Sequence, residues 1–182
     1  DGDPKIRYFL NASGTGLDEM VCNTTNIMKR NGKGGTIRYL ISLVKCILTY
    51  KITHIQLTID DELVFDDSIL NLSIGNCRFN GGGMMTMPKA IPNDGLFDVT
   101  VIKKVSIFKF AANVKNLYDG TFINKINEVK TFRGSRIRIV CIPPHSLLVE
   151  TEGENLNNSP FDFEMLPKAI NMIVPENHNF KS

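Results

Sequence analysis

An antiparallel β-sandwich with two or three helical excursions is the fold this sequence predicts. Apolar and polar residues alternate in at least six short runs, each with one face to bury and one to expose. Turn-forming clusters lie between those runs. Only three stretches carry the period of an amphipathic helix. Six or more strands around two or three helices imply sheet packed on sheet rather than a βαβ fold.

The first helical stripe is Leu17, Met20, Val21, Thr24, Ile27 and Met28, with Asn31-Gly32 as its stop. After the flexible run 31–35, Ile37, Leu40, Ile41, Val44, Ile47 and Leu48 repeat the pattern. Strands follow on Ile55, Leu57 and Ile59, then on Leu70, Leu72 and Ile74, then on Phe97, Val99 and Val101. The third helix uses Ile107, Phe110, Ala111, Val114, Leu117 and Tyr118, with Ser106 as N-cap and Gly120 beyond its end. Further strands carry Ile137, Ile139 and Cys141; Phe161, Phe163 and Met165; and, past Pro167, Ile170, Met172 and Val174. Turns are expected at Asp60-Asp61, Gly81-Gly82-Gly83, Asn93-Asp94-Gly95, Pro143-Pro144 and Glu152-Gly153-Glu154.

At 182 residues the chain fits one domain, 1–182, large enough to bury a real core. A net charge of +2 excludes the lopsided balance of a nucleic-acid-binding or acidic-tail protein. The longest apolar stretch, Tyr39 to Tyr50, is too short and too polar for a bilayer span. Cys22, Cys46, Cys77 and Cys141 are scattered, with no His at ligand spacing, and read as small buried hydrophobes of an intracellular protein. No signal peptide opens the chain, and a start at Asp1 with an element close behind suggests a fragment. Charge is segregated: 103–138 holds nine basic residues against Asp119 and Glu128, a local +7. That is either a solvated face or a surface for an anionic partner such as lipid headgroups.

No phosphate-binding Gly-x-x-x-x-Gly-Lys, nucleophile elbow or His-Glu-x-x-His occurs. His54, His145 and His178 are far apart in sequence and read as independent surface or loop residues. Two segments stand out. In Asn80 to Asp98, three glycines precede a Pro-Asn-Asp-Gly turn that exposes Asp94 and bends neighbouring carbonyls towards it. A carboxylate plus carbonyls is a hard-oxygen set suited to Mg²⁺ or Ca²⁺, and Asn-Asp-Gly is equally an ordinary hairpin turn. In Val149 to Asn155, the acids Glu150, Glu152 and Glu154 crowd around Gly153. Like charges so placed raise one another's pKa, as suits a general base, and a strand end with its acids in solvent reads the same way.

Together these segments resemble the C-terminal domain of the diacylglycerol kinase-like lipid kinases. That family includes bacterial diacylglycerol kinases and YegS-type lipid kinases and is related to sphingosine kinases. Tyr8-Phe-Leu-Asn-Ala-Ser-Gly-Thr-Gly16 is similar to its opening strand and glycine turn. Leu72 to Met84, ending Asn-Gly-Gly-Gly-Met, is similar to its next strand and turn. Pro88-Lys-Ala-Ile-Pro-Asn-Asp-Gly-Leu-Phe-Asp-Val99 resembles its most recognisable signature. Glu152-Gly153-Glu154 stands where the family has Asp-Gly-Glu, and Leu166 to Pro175 resembles the final strand. The five segments occur in the family's order over nearly the whole chain.

The resemblance implies a two-domain kinase that moves the γ-phosphoryl group of ATP onto a lipid hydroxyl, diacylglycerol or a relative. It implies an ATP site built mainly around a Gly-Gly-Asp-Gly-Thr motif of an N-terminal domain. This sequence has no such motif, so as the sandwich half alone it is expected to be inactive. By position, Glu154 matches the family's proton acceptor. Asp94 matches a Mg²⁺-site acid, and Ile91 and Leu96 match positions lending main-chain oxygens to that ion. Glu152 departs from the family's Asp by one methylene. The expected setting is cytoplasmic, with peripheral contact at the inner membrane face, no nucleic acid, and a homodimer left open. Two rival readings are a non-catalytic lipid-binding or regulatory module on the same sandwich, and a kinase for a soluble acceptor, as in NAD kinases.

Overall fold

The computed structural model describes residues 6–17, 52–144, 147–156 and 160–175. Nine strands form one continuous antiparallel sheet: β1 Ala12–Gly16, β2 Thr53–Ile59, β3 Glu62–Gly75, β4 Phe97–Lys103, β5 Val129–Gly134, β6 Arg136–Ile142, β7 Val149–Thr151, β8 Glu154–Leu156 and β9 Phe161–Glu164. Three short helices stand between β4 and β5: α1 Ile107–Ala112, α2 Val114–Asp119 and α3 Phe122–Lys125. Among the described residues no helix is long and apolar enough to cross a membrane.

The sheet doubles back on itself because β3 belongs to both layers. Its first half pairs with β2, and its second half lies between β1 and β4. At Ile69 the strand pairs with Thr53 of β2 on one side and Lys103 of β4 on the other. One layer then runs β8-β7-β1-β3-β4-β5 and the other β3-β2-β6-β9. Their facing sides make one core, in which Ile55, Leu57, Ile137 and Ile139 meet Leu72, Ile74, Val99 and Val101. Phe9 stacks on Phe97 of one layer, with centroids 5.6 Å apart, and meets Phe163 of the other edge-on at 6.1 Å. Phe65 and Phe132 join the layers a second time.

A register shift in the β3–β4 ladder between Ile69 and Asn71 changes which residues face the core. Ile69 and Leu72 both enter it, while Leu70 joins a second cluster with Phe110, Leu117 and Phe122 of the helices. The expected single face of Leu70, Leu72 and Ile74 is therefore split, because alternation cannot reveal an irregular residue. The third helix is also divided. Ser106 caps as expected, its Oγ accepting from Lys109 N at 3.2 Å, and Gly120 closes α2 at φ 74°. Between them the Asn113 amide donates to Lys109 O at 2.8 Å, a side-chain bond that competes with continuous helix.

The expected strand on Ile170, Met172 and Val174 is absent. Residues 171–175 form no ladder among the described residues, and Ile170, Met172, Ile173 and Val174 are exposed. Conversely, β5 and the first half of β3 form where charge-rich sequence gave no clear alternation. Beyond Leu17, which is buried, the first helical stripe lies outside the described residues, as does the whole second one.

One acid stitches the layers at their far end. Asp60 and Asp61 form the β2–β3 turn with φ 48° and 72°, the signature of a type I′ hairpin. The Asp60 carboxylate accepts from Arg136 N at 2.8 Å, Ser135 Oγ at 2.9 Å and Ser135 N at 3.1 Å, where the chain passes from β5 to β6. Gly134 makes room for this, since a Cβ there would overlap the Ile59 side chain and stand 2.7 Å from the Asp60 carboxylate.

The Arg136 amide, followed by the Ser135 hydroxyl and amide, holds the Asp60 pKa below its ordinary 3.8. A depressed carboxylate adds stability above its unfolded pKa and loses it as pH falls through the folded one. Asp60→Asn is therefore expected to lower stability at pH 7 and to flatten the decline below pH 3.8. Denaturation midpoints between pH 7 and pH 3 check this.

Candidate functional site

The two segments singled out in the sequence end up at the same end of one layer. Glu152 N donates to Ala12 O at 3.1 Å, Ala12 lies opposite Gly75, Gly75 opposite Asp98, and Asp98 opposite Arg133. This line crosses five adjacent strands. Three strand spacings separate Glu152 on the β7 side from Asp98 on β4, roughly 14 Å at 4.8 Å per strand. The acidic hairpin and the Asp94 loop thus share an edge without sharing an atom's environment.

Glu152 and Gly153 form the two-residue connection between β7 and β8, at φ 54° and 80°. Glycine takes such angles freely, whereas a glutamate there is strained by about 1 kcal/mol. The side chain explains why it stays: its Oε1 accepts from Leu10 N at 2.9 Å and Asn11 N at 2.6 Å. These are the residues leading into β1. Glu152 thereby ties the hairpin to the start of the domain. Cys77 lies close by, its thiol pKa raised chiefly by burial and further by the Glu152 charge.

The three carboxylates, expected from the sequence to crowd together, each take a different donor. Glu150 is buried on β7 and accepts from Gly153 N at 2.9 Å. Glu152 turns to the Leu10 and Asn11 amides. Glu154, 68% exposed, pairs with Arg7. Of the three, Glu154 is the carboxylate both accessible and oriented by a cation. The buried Glu150 belongs to a polar stretch the alternation pattern missed: Ser13, Thr15, Asn71, Ser73, Thr100 and Thr151 are also buried. Ser13 Oγ donates to Glu150 O at 2.7 Å and Thr15 Oγ1 to Leu148 O at 2.6 Å, which satisfies hydroxyls where the sequence shows only small polar residues.

The Asp94 loop is tightly wound. Asp94 N donates to Ile91 O at 3.3 Å, and Asp94 Oδ1 accepts from Leu96 N at 3.0 Å. Gly95 takes φ 79° to close the turn. Arg133 pairs with Asp94 Oδ2 and, through Nε at 3.1 Å, with Asp98 Oδ2. Burial raises the Asp98 pKa, and the Arg133 charge opposes the rise only in part. The donor chemistry, one carboxylate with the Ile91 and Leu96 carbonyls, fits Mg²⁺ or Ca²⁺ with water completing the shell. The Arg133 guanidinium already occupies that carboxylate. Among the described residues no three His, Cys, Asp or Glu side chains converge as a metal cluster.

The +7 stretch is less exposed electrostatically than its sequence suggests. Lys103, Lys109, Arg133, Arg136 and Arg138 all make ion pairs, with Asp67, Glu128, Asp94 and Asp98, Asp61, and Asp162. All of these acids except Glu128 come from outside the segment. His54, the one histidine within the described residues, pairs with Asp66 at 2.6 Å on an exposed strand face.

Residues 11–174 match the model of the YegS C-terminal NAD kinase beta sandwich-like domain. The chain belongs to this family. It is 25% identical over 171 residues to the diacylglycerol kinase of Mycobacterium tuberculosis, covering 93% of this chain and 53% of that protein. It is 30% identical over 171 residues to a Shewanella frigidimarina protein named "Probable lipid kinase YegS-like", with the same 93% and 53% coverage. A crystal structure of a diacylglycerol kinase from Bacillus anthracis shares the fold at TM-score 0.56 and 22% identity, over 87% of this chain and 50% of that one. The YegS-type sandwich here spans about half the length of the curated relatives it matches.

The Glu152 contacts give a direct test. Glu152→Ala keeps the strained φ and leaves two main-chain amides without their acceptor. It should cost roughly 1–2 kcal/mol, discounted for exposure. Glu152→Gly, which relieves the strain, should cost less. Urea denaturation of the two variants measures the difference.

Proposed function

We propose that this chain is the acceptor-side domain of an ATP- and Mg²⁺-dependent lipid kinase, with the hydroxyl of diacylglycerol or a related lipid as acceptor. The observation that carries the reading is Glu154: a family-position carboxylate, 68% exposed, on a hairpin fixed by Glu152 and paired with Arg7. Membership of the YegS-type family and the lipid-kinase names of its relatives support the same class.

In this reading the lipid hydroxyl delivers its proton to a Glu154 oxygen as its own oxygen attacks the γ-phosphorus. An oxygen–phosphorus bond forms, the bond from phosphorus to the β,γ-bridging oxygen breaks, and ADP leaves with that electron pair. Mg²⁺ supplies charge neutralisation of the phosphate oxygens when it is bound with ATP. The chain's own work is to hold the base: β7 and β8 set the carboxylate, Glu152 fixes the hairpin against β1, and Arg7 orients it. Most of the nucleotide site, in this reading, belongs to the part of the relatives' length that this chain does not span. An ion on the Asp94 loop, in this reading, would hold that loop, which lies on β4's side of the layer, three strand spacings from the β7 hairpin.

Contact with a bilayer surface, in this reading, rests on a smaller feature than the full basic stretch. Phe108 is 84% exposed on α1. Lys104, Lys115 and Lys130 are exposed and make no ion pair among the described residues. An exposed apolar ring and exposed, unpaired lysines in the same stretch of sequence suit an anionic interface, each lysine adding ~1 kcal/mol.

The test expresses the chain together with its upstream coding sequence and follows phosphoryl transfer from ATP to diacylglycerol, sphingosine and phosphatidylglycerol. Transfer to diacylglycerol is expected, and Glu154→Gln should lower kcat by about 10²- to 10⁴-fold. Full activity in Glu154→Gln would remove the base assignment. An upstream sequence without a Gly-Gly-Asp-Gly-Thr motif would favour the non-catalytic module.

A further inference from the structure

The Asp94 loop brings together two features that compete. Its oxygens are of the kind a hard divalent cation takes, and a cation of the protein's own already holds the carboxylate. Arg133 reaches the loop from β5, where it lies directly across the ladder from Asp98. Its guanidinium makes two separable attachments, Nε to Asp98 Oδ2 at 3.1 Å and Nη2 to Asp94 Oδ2. Asp98 is 6% exposed and Asp94 23%. The buried carboxylate needs a partner far more than the rim one, since a buried charge without one is strongly disfavoured. The Asp98 attachment is therefore the anchor, and the Asp94 attachment is the one that can be given up.

A divalent ion on Asp94 Oδ2 would have to take the place of Nη2, and the residual positive charge beside it would repel the ion. We propose that Arg133 and a divalent cation compete for the Asp94 carboxylate, the guanidinium holding the loop when no ion is bound and remaining on Asp98 when one is. This rests on reading the Asp94 loop as a cation site. Arg133 is then a positioning residue that sets how strongly the loop takes its ion. It does so without contributing a ligand, because a guanidinium has no lone pair to offer.

The geometry also says what the exchange does. Leu96 N donates to Asp94 Oδ1, the oxygen that Arg133 does not hold, so the exchange on Oδ2 would leave the turn's own bond in place. Only the bridge between the loop and β5 is made or broken. In the guanidinium state the loop is tied to β5; in the ion-bound state it is tied to the ion and to its own carbonyls.

Calorimetric titration of MgCl₂ and CaCl₂ into the intact protein, without nucleotide, tests this on wild type, Arg133→Gln, Arg133→Lys, and the double variant Arg133→Gln with Asp94→Asn. Arg133→Gln should bind the ion at least about tenfold more tightly than wild type. Arg133→Lys, which keeps a charge but cannot fork between two carboxylates, should fall between them. The double variant should lose the added binding. Equal, measurable affinities in wild type, Arg133→Gln and Arg133→Lys would overturn the competition while leaving the loop as a cation site. No Asp94-dependent binding in any variant would overturn both. Should Arg133→Gln fail to fold, by circular dichroism, Arg133→Lys alone decides, and an affinity no tighter than wild type counts against the proposal.

Discussion

The structure depends on one strand that serves two layers. Fourteen residues of β3 run from Glu62 to Gly75, pairing first with β2 and then with β1 and β4. A sandwich assembled from two independent sheets would owe its alignment to side chains alone. Here the main chain itself fixes the relation of the layers, and the irregularity at Ile69–Asn71 changes which side chains meet between them. The second half of β3 ends at Gly75, between Ala12 and Asp98. The same strand that joins the layers therefore places both chemically interesting segments along one edge.

Much of this was legible in the sequence because burial and alternation coincide wherever one strand face meets the core. Ile55, Leu57 and Ile59, Phe97, Val99 and Val101, and Ile137, Ile139 and Cys141 were all found as strands for that reason, and all are buried. Legibility failed where that link is broken. On β5 the alternating pattern is masked by Lys130 and Arg133, the latter neutralised by acids distant in sequence. At Ile170 to Val174 the pattern is apolar but nothing in the described residues offers a ladder. The irregularity at Ile69–Asn71 leaves no compositional mark, so the reassignment of Leu70 to the helices could only be seen in three dimensions.

The candidate site shows the same division. Motif resemblance singles out Glu154 and Asp94 as candidates, whereas the contacts of their neighbours come from geometry. Glu152 looked like one member of an acidic cluster and is instead a clamp on the Leu10 and Asn11 amides. Arg133 looked like part of a basic stretch and is instead the counter-ion of Asp94 and Asp98. Both act across more than 30 residues of sequence, and neither partner choice follows from local charge. Local sums of charge overstate a surface field when the opposing charges arrive from other strands.

The central claim is that the accessible carboxylate of the β7–β8 hairpin takes the proton of the acceptor hydroxyl. Shortening it by one methylene tests that most directly. In the intact protein, Glu154→Asp should retain the charge and the fold but draw the base away from the hydroxyl. The expected result is a large fall in kcat with the KM for ATP unchanged. A wild-type kcat in Glu154→Asp, or a change confined to the KM for ATP, would contradict the account.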